Sequence, residues 1–581
     1  MPGTACSRTG ERVHMKVSDV IAASLKRHGI TMFFGQSNPI SFSISAEEAG
    51  MRQIFYRTEN AGGVMADGFS RITNRISVLV AQNGPAATLA IAPMSEAMTA
   101  SVPMLVLVQE VPASLRDRNA FQEIDHFALF AGVSKWTRRI DDPARAEDYV
   151  DLAITAANSG RPGPVVLLLP RDVLDMPAQP SRFARRRDNG LFPLDRARPD
   201  RGNVRQAARL LAEARSPLII AGGGVHLSGA AQALVRLAER GQLPVATTNM
   251  GKGAIDENHP LSLGVAANVT GEKGPAHFHL PIISGADVVL LVGSRTNENG
   301  TDGWSLTAPD ASYIHIDVDS MEVGRTYEAT RLVGDARLAL DDLTEALGEV
   351  DLSLRIEGAD ALKRQIAEGR ARHRAVMAPI FASDQTPILP QRMLAELDAL
   401  LTPDDIVVAD ASYASIWVSS YLTAKRTGQR FLLPRGMAGL GWGMPLGMGA
   451  KLASPGARVV AIVGDGGFAH VWSEIETSVR EKIPVVVIVL NNGLLGYQRH
   501  AENLFYGKTS SAIAFCPVDH AAVSRAAGAL GVVIVDPADL KPALEAALHA
   551  DVTTVLDVIV DPDAYAPSKL WDGNEAKMNL K

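Results

Sequence analysis

Two apolar runs, each stopping at a polar cluster, constrain the fold of this 581-residue chain more than any other feature. Val459 to Val463 leads into Gly464-Asp465-Gly466, and Pro484 to Leu490 leads into Asn491-Asn492. Neither run alternates with polar residues, which fits parallel strands buried on both faces. A parallel pair needs a crossover, predicted here as a helix over 470–481. Open parallel sheets bind ligands beyond the carboxyl ends of their strands, so Asp465 and Asn492 should meet at one sheet edge. A carboxylate and an amide carbonyl are hard oxygen donors, better suited to octahedral Mg²⁺ than to zinc. Gly464, Gly466 and Gly467 leave backbone N–H groups free to approach a diphosphate. Gly-Asp-Gly by itself is an ordinary turn after a strand. The specific signal is the whole series: strand, Gly-Asp-Gly, helix, strand, Asn pair.

The length suggests three or four domains at ~150 residues each. Repeated strand–helix alternation argues for an α/β protein with parallel sheets throughout. A first block, 15–190, has strand-like runs at 77–81, 104–108 and 165–169. A polar, Arg-rich linker follows over 181–202. A second, Rossmann-like block, 203–345, has runs at 217–221, 288–292 and 313–318, with Gly222-Gly223-Gly224 closing the first of them. A charged helical linker covers 346–385. The third block, 386–566, carries the opening motif, and 567–581 reads as a polar tail or lid. Residues 1–14 lack an apolar core for a secretory signal and read as a disordered extension, with Met15 as the start of the fold. A net charge of −7 gives no sign of nucleic acid or an anionic membrane as partner. No apolar stretch is long enough to span a bilayer. Two cysteines, Cys6 and Cys516, fit a reducing cytoplasm better than a disulfide framework.

The series around Asp465 resembles the signature of thiamine-diphosphate (ThDP) enzymes. Further matches extend the resemblance over about 15–565: Thr58-Glu59-Asn60-Ala61 through Phe69, Ala120-Phe121-Gln122-Glu123, Arg161-Pro162-Gly163-Pro164, and Gly439-Leu440-Gly441-Trp442-Gly443. The chain is most similar to the acetolactate-synthase-like group, whose order is pyrimidine-binding, central and diphosphate-binding domain. The resemblance implies that Asp465, Asn492 and the Leu494 carbonyl hold Mg²⁺. It implies that Gly464, Gly466 and Gly467 face the diphosphate, with Ser412, Tyr413 and Ser415 reaching the outer phosphate. Leu440 falls where the family props the cofactor into its bent form, and Ala438 where its backbone meets the pyrimidine. Glu59 reads alone as an ordinary solvated helix glutamate. Its neighbours Ala61, Gly62, Gly63, Ala66 and Gly68 form a small surface suited to another chain or a cofactor. In the family this Glu hydrogen-bonds N1′ of the aminopyrimidine, favouring the tautomer that deprotonates thiazolium C2. A buried carboxyl with a raised pKa can share such a proton.

Substrate-side positions implied by the family are Ser37, Asn38, Gln82, Asn83, Phe121, Gln122, Tyr497 and Gln498. Each reads equally as loop or interface packing. The stretch after Asn492 favours carboligation: a 2-oxo acid loses CO₂ and the enamine passes to an acceptor carbonyl. The alternatives are a simple 2-oxo acid decarboxylase, or a 2-hydroxyacyl-CoA lyase or oxalyl-CoA decarboxylase relative. The family's Arg-Phe-Asp-Asp-Arg stretch of FAD-binding members is here Arg295-Thr296-Asn297-Glu298. FAD, ADP or CoA at Gly222–Gly224 is therefore disfavoured against a purely structural turn. Family geometry implies a homodimer or homotetramer with active sites between subunits.

Overall fold

The computed structural model describes residues 15–181, 183 and 185–578. The extension over 1–14, Cys6 and the last three residues of the tail lie outside them. Three six-stranded, wholly parallel sheets with flanking helices make up the chain, which bears out the α/β expectation. The first holds β1 (Met32–Gly35), β2 (Arg52–Ile54), β3 (Ser77–Ala81), β4 (Met104–Glu110), β5 (Trp136–Arg139) and β6 (Val165–Pro170). The second holds β7 (Pro217–Ala221), β8 (Val245–Thr247), β9 (Ser262–Val265), β10 (Val288–Val292), β11 (Ser312–Asp317) and β12 (Ala329–Val333). The third holds β13 (Ile406–Ala409), β14 (Phe431–Leu432), β15 (Val459–Gly464), β16 (Val486–Asn491), β17 (Leu530–Ile534) and β18 (Thr554–Ile559).

The first sheet runs β2-β1-β3-β4-β6-β5 and the third β14-β13-β15-β16-β18-β17. In order of appearance these are the same permutation. The second runs β9-β8-β7-β10-β11-β12, a doubly wound order whose switch point lies between β7 and β10. The apolar runs read from the sequence are the central strands, buried on both faces. Most strands that escaped such a reading lie at edges or are very short; β18, six residues long and paired on both sides, is an exception, its run broken by Asp557. The edge strand β2 carries polar residues at its outer positions, Arg52 and Gln53, whereas β17 exposes Leu530, Val532 and Val533.

The crossover between β15 and β16 is not one helix over 470–481. It is two, Asp465–Ala469 and Ser473–Arg480. The first starts directly at the strand end, where Gly467 packs so closely that a Cβ would lie 2.2 Å from Asp410 Oδ2. The chain then turns over 470–472, sending Val471 and Ile475 into the core.

Helix Glu59–Thr73 crosses helix Gly443–Ala453, its counterpart in the third sheet's topology. A Cβ on Gly68 would lie 2.4 Å from the Leu446 carbonyl, and one on Gly449 would lie 2.0 Å from the Met65 carbonyl. The small surface at 61–68 is thus largely spent inside the chain, not on a second chain or a cofactor. The crossing fuses the first and third sheets into one buried cluster containing Phe34, Met65, Leu446 and Val463. The stretch read as a tail returns to the third sheet, where Trp571 is fully buried beside Tyr413 and Tyr497. Among the described residues no helix is long and apolar enough to cross a membrane.

Candidate active site

One cavity opens at the carboxyl edge of the third sheet. Asp465 ends the β15 run and begins the following helix; its Oδ2 accepts from the Gly493 N–H at 2.9 Å. Burial pushes its carboxyl up to about 6, against the opposing pull of backbone N–H donors. Asn492 follows β16, and its Oδ1 accepts from Leu494 N at 3.2 Å. Asp465, Asn492 and Leu494 all line the cavity. The first Asn of the pair serves the sheet instead. Asn491 Nδ2 donates to Asp557 Oδ1 at 2.9 Å, locking β16 to β18. Among the described residues no three His, Cys, Asp or Glu cluster. A cation here would therefore draw on amide and carbonyl oxygens beside one carboxylate, a donor set that fits Mg²⁺.

Gly464, Gly466 and Gly467 line the same cavity, as do Ser412, Tyr413, Ala438 and Leu440. Tyr497 and Gln498, from helix Gly496–Tyr506, complete its rim. Leu440 is 37% exposed, a large apolar side chain left uncovered within one chain. Ser412 and Ala438 hold φ values of 63° and 60°, a left-handed backbone unusual for residues with a Cβ. Asp410, which the sequence reading overlooked, supports both loops: its carboxylate accepts from the N–H groups of Ala411, Gly441 and Trp442 at 2.8–3.2 Å. The available signal was an acid closing the apolar run Ile406–Ala409, as Asp465 closes its own. Ser415 stands apart from the cavity lining. It is buried, donating to the Ser412 carbonyl at 2.9 Å and accepting from Arg435.

The carboxyl edge of the first sheet gathers the other candidates. Glu59 opens helix Glu59–Thr73, and Thr58 caps that helix by accepting from Ala61 N. Capping explains a hydroxyl residue at position 58. Glu59 is buried, and burial raises its carboxyl above the usual range. Tyr56, fully buried beneath it, donates to the Val80 carbonyl at 3.0 Å. The approach to Glu59 is anchored from the third sheet's layer: Glu474 accepts from the N–H groups of Arg57 and Thr58 at 3.1 Å. Glu474 was also overlooked, since nothing in its helix marks it apart from a surface acid.

Loops after β1, β3 and β4 join Glu59 along this edge. Asn38 donates to Gln82 at 3.3 Å, and Gln82 donates to Gln122 at 2.7 Å. Asn83 donates to the Phe121 and Gln122 carbonyls, both at 3.2 Å. Ser37 is exposed at the start of this chain of amides, and Phe121 is 83% exposed at its end. Six substrate-side candidates therefore share an edge with Glu59, and two share a cavity with Asp465. Glu59 does not line that cavity within one chain.

A second cavity lies at the switch point of the central sheet, between Gly222–Gly224 and Gly293. The glycines pack tightly, since a Cβ on Gly222 would lie 2.3 Å from the Gly293 carbonyl. The turn is structural and also opens on a cavity walled by Arg161 and Arg295.

Three family models match the chain in succession. They are the N-terminal TPP binding domain (residues 15–129), the central domain (204–343) and the C-terminal TPP binding domain (410–558) of thiamine pyrophosphate enzymes. A probable acetolactate synthase large subunit of Methanocaldococcus jannaschii is 32% identical over 566 residues, 95% of this chain and 93% of that one. An acetolactate synthase of Arthrospira platensis is 32% identical over 83% of each chain. The acetolactate synthase isozyme 3 large subunit of Escherichia coli is 28% identical over 97% of this chain and 98% of its own.

Proposed function

The chain belongs to the thiamine pyrophosphate enzymes that make or break carbon–carbon bonds, and from that membership we propose a Mg²⁺-dependent carboligase acting on a 2-oxo acid. The observation that carries the reading is the pairing of two edges. One presents a buried, protonatable Glu59, and the other an oxygen-lined cavity with Asp465 and Asn492. Bound ThDP supplies a nucleophilic carbon for attack on a carbonyl and an electron sink for the carbon left after CO₂ departs. Asp465, Asn492 and Leu494 would hold its cation, with Gly464, Gly466 and Gly467 toward its phosphates and Leu440 beneath its rings. Ser412 and Tyr413 sit within reach of the same end. Burial disfavours the charge of Glu59 and raises its carboxyl from the ordinary value, and the group would share a proton with the pyrimidine nitrogen. Since Glu59 and the cavity are apart in one chain, the complete site forms between two copies, in a homodimer or a tetramer. Exposed Phe121 and Leu440 supply apolar surface for that contact.

Acceptor chemistry separates the readings. Purified protein is incubated with ThDP, Mg²⁺ and pyruvate, with and without a second aldehyde or 2-oxo acid. The carboligase forms acetolactate or an acyloin; acetaldehyde as the only product indicates a simple decarboxylase. The central cavity, with its arginines beside a glycine turn, supports a second reading as a 2-hydroxyacyl-CoA lyase. Calorimetric titration with CoA, ADP and FAD tests it, and absence of CoA binding removes it.

A further inference from the structure

The cavity that holds Asp465 and Asn492 has on its wall a cation that forms no ion pair with any described residue. Arg435 lines this cavity and the central one, on the segment that leads into Ala438 and Leu440. Its Nη1 donates to Ser415 Oγ at 3.1 Å, and its Nε is buried without a partner. Among the described residues no carboxylate forms an ion pair with it. The nearby acid, Glu96, is already used. Its Oε1 accepts from Arg71 Nη2 and Gly436 N, both at 3.0 Å, and its Oε2 accepts from Met437 N at 2.5 Å. Those bonds fix the backbone beside Arg435, and Ser415 fixes one nitrogen, so the guanidinium is held in place before any ligand arrives. Arg435 is half-buried, its Nε lacks a partner, and the planar fork of a guanidinium matches a carboxylate.

We propose that Arg435 binds the carboxylate of the acceptor substrate, so that the enzyme selects 2-oxo acids over plain aldehydes as acceptors. This rests on the carboligase reading above. The donor's carboxylate is a poor ligand for it. That group leaves as neutral CO₂, and an ion pair made with it would stabilise the ground state more than the transition state. The acceptor's carboxylate keeps its charge from encounter to product, so the contact lasts through bond formation.

The test compares wild type, Arg435→Gln and Arg435→Lys, each loaded with ThDP and Mg²⁺ and supplied with pyruvate plus acetaldehyde. Pyruvate as acceptor gives acetolactate, and acetaldehyde gives acetoin. The expected result is an acetolactate-to-acetoin ratio at least tenfold lower in Arg435→Gln, with Arg435→Lys between the two. An unchanged ratio overturns the proposal. So does a loss that falls on ThDP or FAD affinity in direct titrations instead. Calorimetric titration with oxamate, an unreactive carboxylate analogue, gives a readout independent of turnover. Tenfold weaker oxamate binding in Arg435→Gln supports the carboxylate role even if wild type makes no ligation product, an outcome that sinks only the carboligase reading. Equal oxamate binding, or none in wild type, sinks the role of Arg435.

Discussion

The first and third sheets are built on one strand order and diverge at their carboxyl edges. At the ends of β15 and β16 stand Asp465 and Asn492, oxygen donors over a glycine turn. The matching strands of the first sheet, β3 and β4, end in Gln82-Asn83 and Glu110. There the amides bond to one another and to the 121–122 loop, and Glu110 is tied to Arg139 and His126. The helix after the second strand differs in the opposite sense. In the first sheet it starts with Glu59, and in the third it starts at Gly443, beyond a loop strapped to Asp410. On the function proposed above, one copy of the scaffold serves as an ion and phosphate clamp and the other carries a proton. The two helices that cross at Gly68 and Gly449 pack backbone against backbone and join the copies in one core.

The sharpest way to break this division of labour is to remove one function and leave the other. Glu59→Gln should keep ThDP affinity within about threefold while turnover falls by about 10²–10⁴-fold. Loss of cofactor binding in this variant would mean that Glu59 belongs to the clamp. Asp465→Asn should do the reverse, weakening Mg²⁺-dependent ThDP binding by about tenfold or more. Mixing the two inactive variants tests where the edges meet. If the site lies between copies, random reassociation makes about half of the dimers hybrid, each with one intact site, and about a quarter of wild-type turnover returns. Turnover that stays at the level of the single variants would place the whole site within one chain.

A smaller effect separates the two acids by pH. The folded Asp465 keeps its proton up to about pH 6, whereas an unfolded Asp loses it near 4. Between those values the native state binds the extra proton, so this group makes stability fall as pH rises through that window. Asp67, Asp317 and Asp410 are raised to about 6 as well and share the slope. The contribution of Asp465 is therefore read as the difference between wild type and Asp465→Asn in denaturant titrations from pH 4 to 7. The variant should lose part of the slope, and Mg²⁺ affinity of wild type should rise through pH 6 as the carboxylate becomes free to ligate. Identical slopes would mean that Asp465 is not held protonated by its burial.

The proposed clamp was legible in the sequence because Asp465 and Asn492 each follow an unbroken apolar run. A buried parallel strand has no polar face, so its end is marked by chemistry alone. Glu59 lacked such a mark: β2 is an edge strand with Arg52 and Gln53, and its end does not stand out from a loop. Only the resemblance located it. Asp410 escaped notice although it closes the run of β13, because its partners are backbone N–H groups, which leave no mark in the sequence. Glu474 and Arg435 were illegible for a common reason. Glu474 meets Arg57 and Thr58, and the segment carrying Arg435 is held by Glu96, in each case hundreds of residues away in sequence. The small-residue stretch at 61–68 showed close packing correctly, and the crossing helix of the same chain was its object.

The least of these effects lies at the start of the proton-carrying helix. Thr58 Oγ1 accepts from Ala61 N at 3.3 Å, satisfying one of the free N–H groups of the first turn. Replacing a capping hydroxyl by alanine costs about 1 kcal/mol, whereas serine retains the oxygen and the bond. Glu474 holds the Thr58 and Arg57 backbone from the other side, so the turn should not unravel when the cap is lost. Thr58→Ala should therefore lower the denaturation midpoint measurably and reduce turnover only severalfold, with Thr58→Ser close to wild type in both. The clamp edge lies on the other sheet, so ThDP affinity should not change. A loss of turnover in Thr58→Ala as deep as that of Glu59→Gln would give Thr58 a part in the chemistry and make the proton-carrying edge a two-residue device.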